Sequence, residues 1–205
     1  MDFIKELFKQ LQDIMQENKD YLIDLDSVVG DGDLGLTMSD GFTAAYKKIK
    51  DTTEADIGKT IYQAGKAMST AVPSTMGTLM ASGLMEAGKN LKGKTELDNS
   101  DIALLFKSYF DGVAKRGKAK LGDKTFLDGL GPAVDSMNTS VSAGDDLKTM
   151  ATKAFEAATK GFDDTTKMKA VHGRAAIRGE ESRSLQDPGA AVATLIIKAL
   201  CNSVE

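Results

Sequence analysis

Asp26, Asp31 and Asp33 stand close together, and Gly30, Gly32 and Gly35 interrupt them. Carboxylates this near one another repel unless a cation lies between them. A hard cation such as Mg2+ takes oxygen ligands at about 2.1 Å and often completes its shell with substrate phosphates. The glycines let the chain turn tightly and leave room for a bulky anion. After Thr37 a helical pattern begins with Met38, Phe42, Ala45, Tyr46 and Ile49, so the loop should feed a helix N-terminus, where unpaired N–H groups favour phosphate. An acidic, glycine-rich surface turn or a partial calcium loop is the plainer reading of Asp-x-Asp by itself. The third aspartate, the glycines and partners elsewhere in the chain favour metal and phosphate.

Those partners sit in three other segments. Residues 73–78 form a small hydroxyl-rich turn with Ser74 and Thr75. Residues 118–125 form a short basic loop with Lys124. Residues 167–186 carry Arg174, Arg178 and Arg183 with little periodicity, as a lid over a site would. The hydroxyls, the backbone amides and Arg174 are the candidates for phosphate oxygens, and apolar Leu34, Met76 and Phe126 for the wall of a base or ribose. Arg178 and Arg183 read as solvated charges paired with Glu180 and Glu181. Covalent catalysis is disfavoured: His172 is the single histidine, and no Ser/His/Asp or Cys/His set assembles around it. The run from Gly83 to Lys89 and Asn90 nearly spells a phosphate-binding P-loop, but it lacks the final hydroxyl residue and a preceding strand.

The elements that must position these residues are helical. Alanine, leucine, lysine and methionine are abundant and only three prolines occur, which favours helix. Apolar residues recur at helical spacing in residues 2–18, 39–50, 56–71, 79–92, 100–116, from about 123, 146–166, and beyond Pro188. Residues 18–24 read as a turn, Asp187 as an N-cap and Pro188 as the first helical position. The expected fold is all-α, an eight-helix antiparallel up-and-down bundle or barrel, with residues 1–205 as a single nucleotide-binding domain. In such a bundle alternate connections share an end, so helix parity gathers the four informative segments together. A net charge of −4 offers no broad basic face for nucleic acid, one cysteine, Cys201, excludes an internal disulfide, and no apolar run suits a membrane span. A cytoplasmic address is the default expectation.

Four ordered motifs carry a likeness to a known family: Leu25-Asp26 with Gly30-Asp31-Gly32-Asp33 and Gly35; Arg116-Gly117-Lys118-Ala119 with Gly122-Asp123-Lys124-Thr125; Gly173-Arg174-Ala175 with Gly179-Glu180 and Ser182; and Asp187-Pro188-Gly189-Ala190. In these the chain resembles the nucleotide-binding L subunit (DhaL) of dihydroxyacetone kinases, over nearly its whole length. The resemblance implies an eight-helix barrel and two Mg2+ ions held by Asp26, Asp31 and Asp33, with ADP or ATP phosphates on both ions. It implies nucleotide contacts at Leu34, Gly35, Leu36, Thr37, Ser74, Thr75, Gly117, Phe126, Arg174, Asp187, Pro188 and Gly189, with Arg174 as the catalytic residue. It implies a K subunit that holds the ketose covalently on a histidine, and a phosphocarrier M subunit of the phosphotransferase system that recharges bound ADP; other members use free ATP. Leu34 stands where the family commonly has histidine, Thr37 where it often has asparagine, and Val72-Pro73-Ser74-Thr75-Met76 where it has a glycine-rich turn. These departures suggest a divergent branch acting on dihydroxyacetone or a related short ketose such as a tetrulose. The competing readings are an ATP-dependent kinase subunit for a related ketose, a non-catalytic nucleotide-binding adaptor or regulator, and a phosphatase or nucleotide hydrolase.

Overall fold

Short polar side chains fix where most helices begin. Asp56, Ser74, Asp98, Thr125, Asp146 and Asp187 each accept a backbone N–H from the first turn that follows; such caps contribute about 1 kcal/mol apiece. The computed structural model describes residues 1–204. Its α-helices are α1 (Asp2–Glu17), α2 (Lys19–Val29), α3 (Leu34–Ile49), α4 (Ile57–Ala71), α5 (Thr75–Asn90), α6 (Asn99–Gly117), α7 (Phe126–Ala143), α8 (Leu147–Asp164) and α9 (Pro188–Asn202). Two 3-10 stretches, Thr165–Lys167 and Arg174–Ser182, lie between α8 and α9. No helix among the described residues is long and apolar enough to cross a membrane.

The apolar stripes face inward. Ile4, Leu7, Phe8, Leu11 and Met15 of α1 join Met38 and Phe42 of α3, Ile61 and Met68 of α4, Met80 of α5 and Leu130 of α7 in one core. From α3 onward each helix packs on the next, and α9 returns to α1, which itself lies on α3, so the helices close a ring. The antiparallel order shows in the bonds that join the two ends. At one end Lys5 Nζ donates to Thr52 O, Ile57 N to Lys94 O, and Asn99 Nδ2 to Asp145 O. At the other, Arg174 meets Asp31, Thr37 meets Ser74, and His172 meets Asp123. The expected gathering of four connections at one end is therefore present.

The all-helical antiparallel expectation holds, and the boundaries differ in ways that matter for the site. Residues 18–24 are not a turn: Asn18 alone interrupts the chain, and α2 continues through Asp26. Because Asn18 only splits one rod in two, the ninth helix leaves the parity of the ends unchanged. α3 begins at Leu34 rather than 39, and α5 at Thr75 rather than 79, so most of the hydroxyl-rich turn is helix. α7 begins at Phe126, after Thr125, not at 123. The stretch 167–186 is not structureless, since Arg174–Ser182 coils into 3-10 turns.

Glycine sets how closely α4 and α5 cross. A Cβ at Gly58 would stand 2.5 Å from the Gly88 carbonyl oxygen, and one at Gly88 would stand 2.6 Å from that of Gly58. Only backbone fits there. Gly88→Ala is expected to destabilise the fold by about 2 kcal/mol through overpacking. A urea titration checks this; a gain of about 1 kcal/mol, as helix propensity by itself would give, contradicts the tight crossing.

Candidate metal and nucleotide site

Asp26 lies in the last turn of α2, Asp31 in the loop, and Asp33 at the N-cap of α3. One factor that brings them together is a close approach at Gly35, where a Cβ would stand 2.1 Å from the Lys19 carbonyl oxygen at the opposite end of α2. The loop must therefore double back beside α2. One carboxylate oxygen from each of Asp26, Asp31 and Asp33 lies within 4.8 Å of the others. Opposite corners of an Mg2+ octahedron are about 4.2 Å apart, so small side-chain movements fit the set to a hard cation.

The charges at this spacing oppose each other by about 1 to 3 kcal/mol per pair, between bulk-water and protein-surface screening. Asp26 is half-buried, and that burial holds its carboxyl above the ordinary range. Asp31 and Asp33 add to the rise, while the N–H groups of Leu34 and Gly32 oppose it. Asp31 also receives Arg174, whose Nη2 is 2.6 Å from its Oδ2. Arg174 follows Gly173 at the head of the 3-10 stretch and is the one cation bridging the lid to the aspartate loop among the described residues.

Helix direction supplies a second ingredient. α3, α5, α7 and α9 all begin at this end, so their N-terminal partial positive charges face the region of the acids. Ser74 Oγ accepts the Gly77 N–H at 3.0 Å as the cap of α5 and lies 3.4 Å from Thr37 Oγ1, and Thr75 is exposed beside it. Gly117 ends α6 against Leu79. Gly189, in the first turn of α9, lies against the Phe126 backbone, and Pro188 is buried.

Several expected roles change. Leu34 and Phe126 are 4% and 3% exposed and point into the core, with the Phe126 ring 5.9 Å from Tyr109, so their side chains form no open wall for a base. The exposed apolar residues at this end are instead Val28, Leu36, Leu121, Val171 and Ile177. Lys124 lies at this end, as expected, but is 2% exposed and donates to backbone carbonyls of residues 165–185. His172 is a partly exposed residue of the lid segment; its Nε2 is 3.0 Å from Asp123 Oδ2, and the Lys120 N–H together with His172 draws the Asp123 pKa down. Arg183 pairs with Glu180 at 2.7 Å, as expected of a solvated charge. These roles were hidden because a lysine or leucine in a loop motif shows its direction only once the neighbouring segments are in place. A groove of about 710 Å3 lies at the opposite end between Lys48, Gly58, Tyr62 and Lys92. It holds no carboxylate triad, so the open end with the three aspartates is the better site.

Asp187 caps α9 through the Ala190 N–H at 2.8 Å, and its own N–H reaches Thr165 Oγ1 at 3.1 Å. Burial pushes its carboxyl up to about 7, against the pull of the Ala190 N–H.

These features coincide with a known domain: the DAK2 domain family model matches residues 28–202. The chain belongs to that family, and within it to the dihydroxyacetone kinase L-subunit branch. It is 31% identical over 188 residues to the ADP-binding subunit DhaL of the PEP-dependent dihydroxyacetone kinase of Escherichia coli (strain K12), covering 92% of this chain and 90% of that one. It is also 31% identical to the L-erythrulose 1-kinase of Mycolicibacterium smegmatis, over 96% of this chain and 34% of the longer one. Among solved structures, the dihydroxyacetone kinase from C. freundii in complex with AMP-PNP and Mg2+ superposes with a TM-score of 0.76 at 21% identity, over 99% of this chain and 34% of that chain. The chain thus spans about a third of the length of the latter two proteins.

Two outcomes follow for stability. Arg174 and Asp31 side chains are 65% and 45% exposed, so Arg174→Ala should change unfolding free energy by less than about 0.5 kcal/mol. Denaturant titration checks this. For Asp187, the unfolded chain releases the proton near pH ~4 and the folded one near about 7. Between them the folded state holds more protons, so this group's contribution falls as pH rises from about 4 to about 7. Asp187→Asn keeps an oxygen for the cap and is expected to flatten that slope in urea midpoints; an unaltered slope means Asp187 is ionised throughout.

Proposed function

We propose that residues 1–205 form one nucleotide-binding domain, the L subunit of a dihydroxyacetone-type kinase, which transfers a phosphoryl group from bound nucleotide to a short ketose held on a separate K subunit. The observation that carries this reading is the aspartate triad facing Arg174 at the end where four helices begin. The match to the ADP-binding subunit named above supports it. Asp26, Asp31 and Asp33 would hold Mg2+, two ions by family likeness, which supplies charge neutralisation for the phosphates of ADP or ATP.

The chain's own groups then have distinct tasks. Backbone N–H groups at Gly35 and Leu36, with the Thr37, Ser74 and Thr75 hydroxyls, orient phosphate oxygens. The Leu34 N–H faces Asp26 and the Thr37 N–H bonds the Asp33 carbonyl, so Leu34 shapes the loop against the metal ligands, and Phe126, its side chain buried, contributes backbone. Gly117, Asp187, Pro188 and Gly189 complete the contact set. Arg174 exchanges Asp31 for the phosphoryl group in transfer and stabilises its charge as catalytic residue. His172 is held by Asp123 through Nε2, and the proton of the ketose hydroxyl is assigned to a group of the partner that holds the ketose. Val28, Leu36, Leu121, Val171 and Ile177, exposed at the same end, suit the docking of that partner and of a phosphocarrier M subunit.

A second reading keeps the site and changes the donor: free ATP exchanges in place of recharged ADP, with a tetrulose as acceptor, as the name of the Mycolicibacterium relative suggests. Native mass spectrometry separates the two, since ADP carried through purification favours the recharged cofactor and an empty chain favours exchange.

Asp31→Ala should weaken Mg2+-dependent ADP binding by at least about 100-fold, more than loss of an outer-shell partner costs; wild-type affinity in the variant would remove the metal role. Arg174→Ala should slow transfer by about a thousandfold, as loss of a charge-stabilising arginine does. Ile177→Asp should leave ADP affinity intact and weaken coupling to the K subunit; undiminished transfer at limiting K subunit contradicts the docking surface.

A further inference from the structure

Lys124 is the one buried ammonium among the described residues, and no carboxylate touches it. An ammonium has three protons to donate. Lys124 Nζ gives them to Thr165 O at 2.7 Å, Ser182 O at 2.8 Å and Leu185 O, with Met168 O at 3.4 Å on the margin. All four carbonyls belong to the connection between α8 and α9, and they bracket the residues that carry His172 and Arg174. The backbone of Lys124 adopts a left-handed φ of 61°, a conformation a side-chain-bearing residue rarely keeps without cause.

The surroundings extend the same attachment. Val171 N donates to Asp123 O, the residue beside Lys124. Ser182 Oγ accepts the Ala170 N–H and donates to Gly179 O. Ser184 N donates to Thr166 O. The base of the segment is thus tied to the start of α7, while its tip is open, with Ile177 87% exposed. Arg174 stands between base and tip.

We propose that Lys124 is a positioning residue: its ammonium gathers both ends of the Arg174-bearing segment at one buried point and so sets where Arg174 stands over the aspartate loop. A compact, spherical cation suits a cage of carbonyl oxygens, as an alkali-metal or ammonium ion would, whereas a neutral side chain leaves those oxygens without donors. The role in nucleotide binding rests on the function proposed above; the role in holding the segment does not.

The test uses the full chain with Lys124→Ala, which vacates the ammonium position together with the stem that leads to it. Hydrogen exchange is read by mass spectrometry in ammonium chloride and in sodium chloride at equal ionic strength, with ADP–Mg2+ affinity measured beside it. In sodium chloride the amides of residues 165–186 should lose protection while α1 to α6 keep theirs, and ADP affinity should fall about tenfold or more, as when a supporting partner of a site is removed. Ammonium should restore both. Wild-type protection of the segment in the variant overturns the proposal, as does a loss spread over all helices that ammonium does not reverse. If the variant does not fold, 15N spectroscopy of the wild-type lysine side chains decides: a slowly exchanging Lys124 ammonium supports the cage, and one exchanging as fast as surface lysines overturns it. A wild-type chain that binds no nucleotide would overturn the functional reading, and the exchange result would still decide the role of Lys124.

Discussion

Mutual repulsion among three carboxylates on one hairpin is the constraint to which this end of the molecule answers. Asp26 is fixed by α2, Asp33 by the start of α3, and the contact of Gly35 with the Lys19 carbonyl denies the loop room to open. Within the described residues Asp31 obtains one compensating charge, Arg174, and the other two obtain none by ion pairing. What remains must be met by helix N-termini and by solvent, or by a bound cation. Four N-termini at the same end make the region favourable for anions just where the side chains are most acidic. A divalent cation with a polyphosphate satisfies both tendencies at once.

The ring of helices serves this arrangement. Because the ring is antiparallel, alternate connections share an end, and the intervening ones are tied off by bonds such as Asn99 to Asp145. The four functional connections are then held by different means. The first is clamped by Gly35, the second by the Ser74 cap, and the third and fourth by each other through Asp123, Lys124 and His172. The fourth carries the most exposed of the large apolar side chains among the described residues, Ile177.

Much of this was legible before any coordinates. Helical periodicity marks eight of the nine α-helices among the described residues, the motif Asp187-Pro188 marks the start of α9, and parity places the four loops together. α2 escaped notice because Leu22 and Val29 are its only buried apolar residues; a helix with most of its surface in water shows little periodicity. The starts of α3 and α5 are masked by Gly35 and Gly77, which read as loop residues although each marks a tight contact inside a first turn. Lys124 lies at the expected end, but its burial is not legible in the sequence, because it depends on carbonyls more than forty residues away. Leu34 was read by its place in a motif, and the helix that begins with it turned its side chain into the core.

The central claim is that the aspartate triad takes nucleotide only together with a divalent cation. Calorimetric titration of ADP into the purified chain, in Mg2+ and in excess chelator, tests it most directly. Saturable binding is expected in Mg2+ and none with chelator present. Equal affinity in both would mean that the carboxylates play no part in holding the phosphates, and the reading of this end as a kinase site would be wrong.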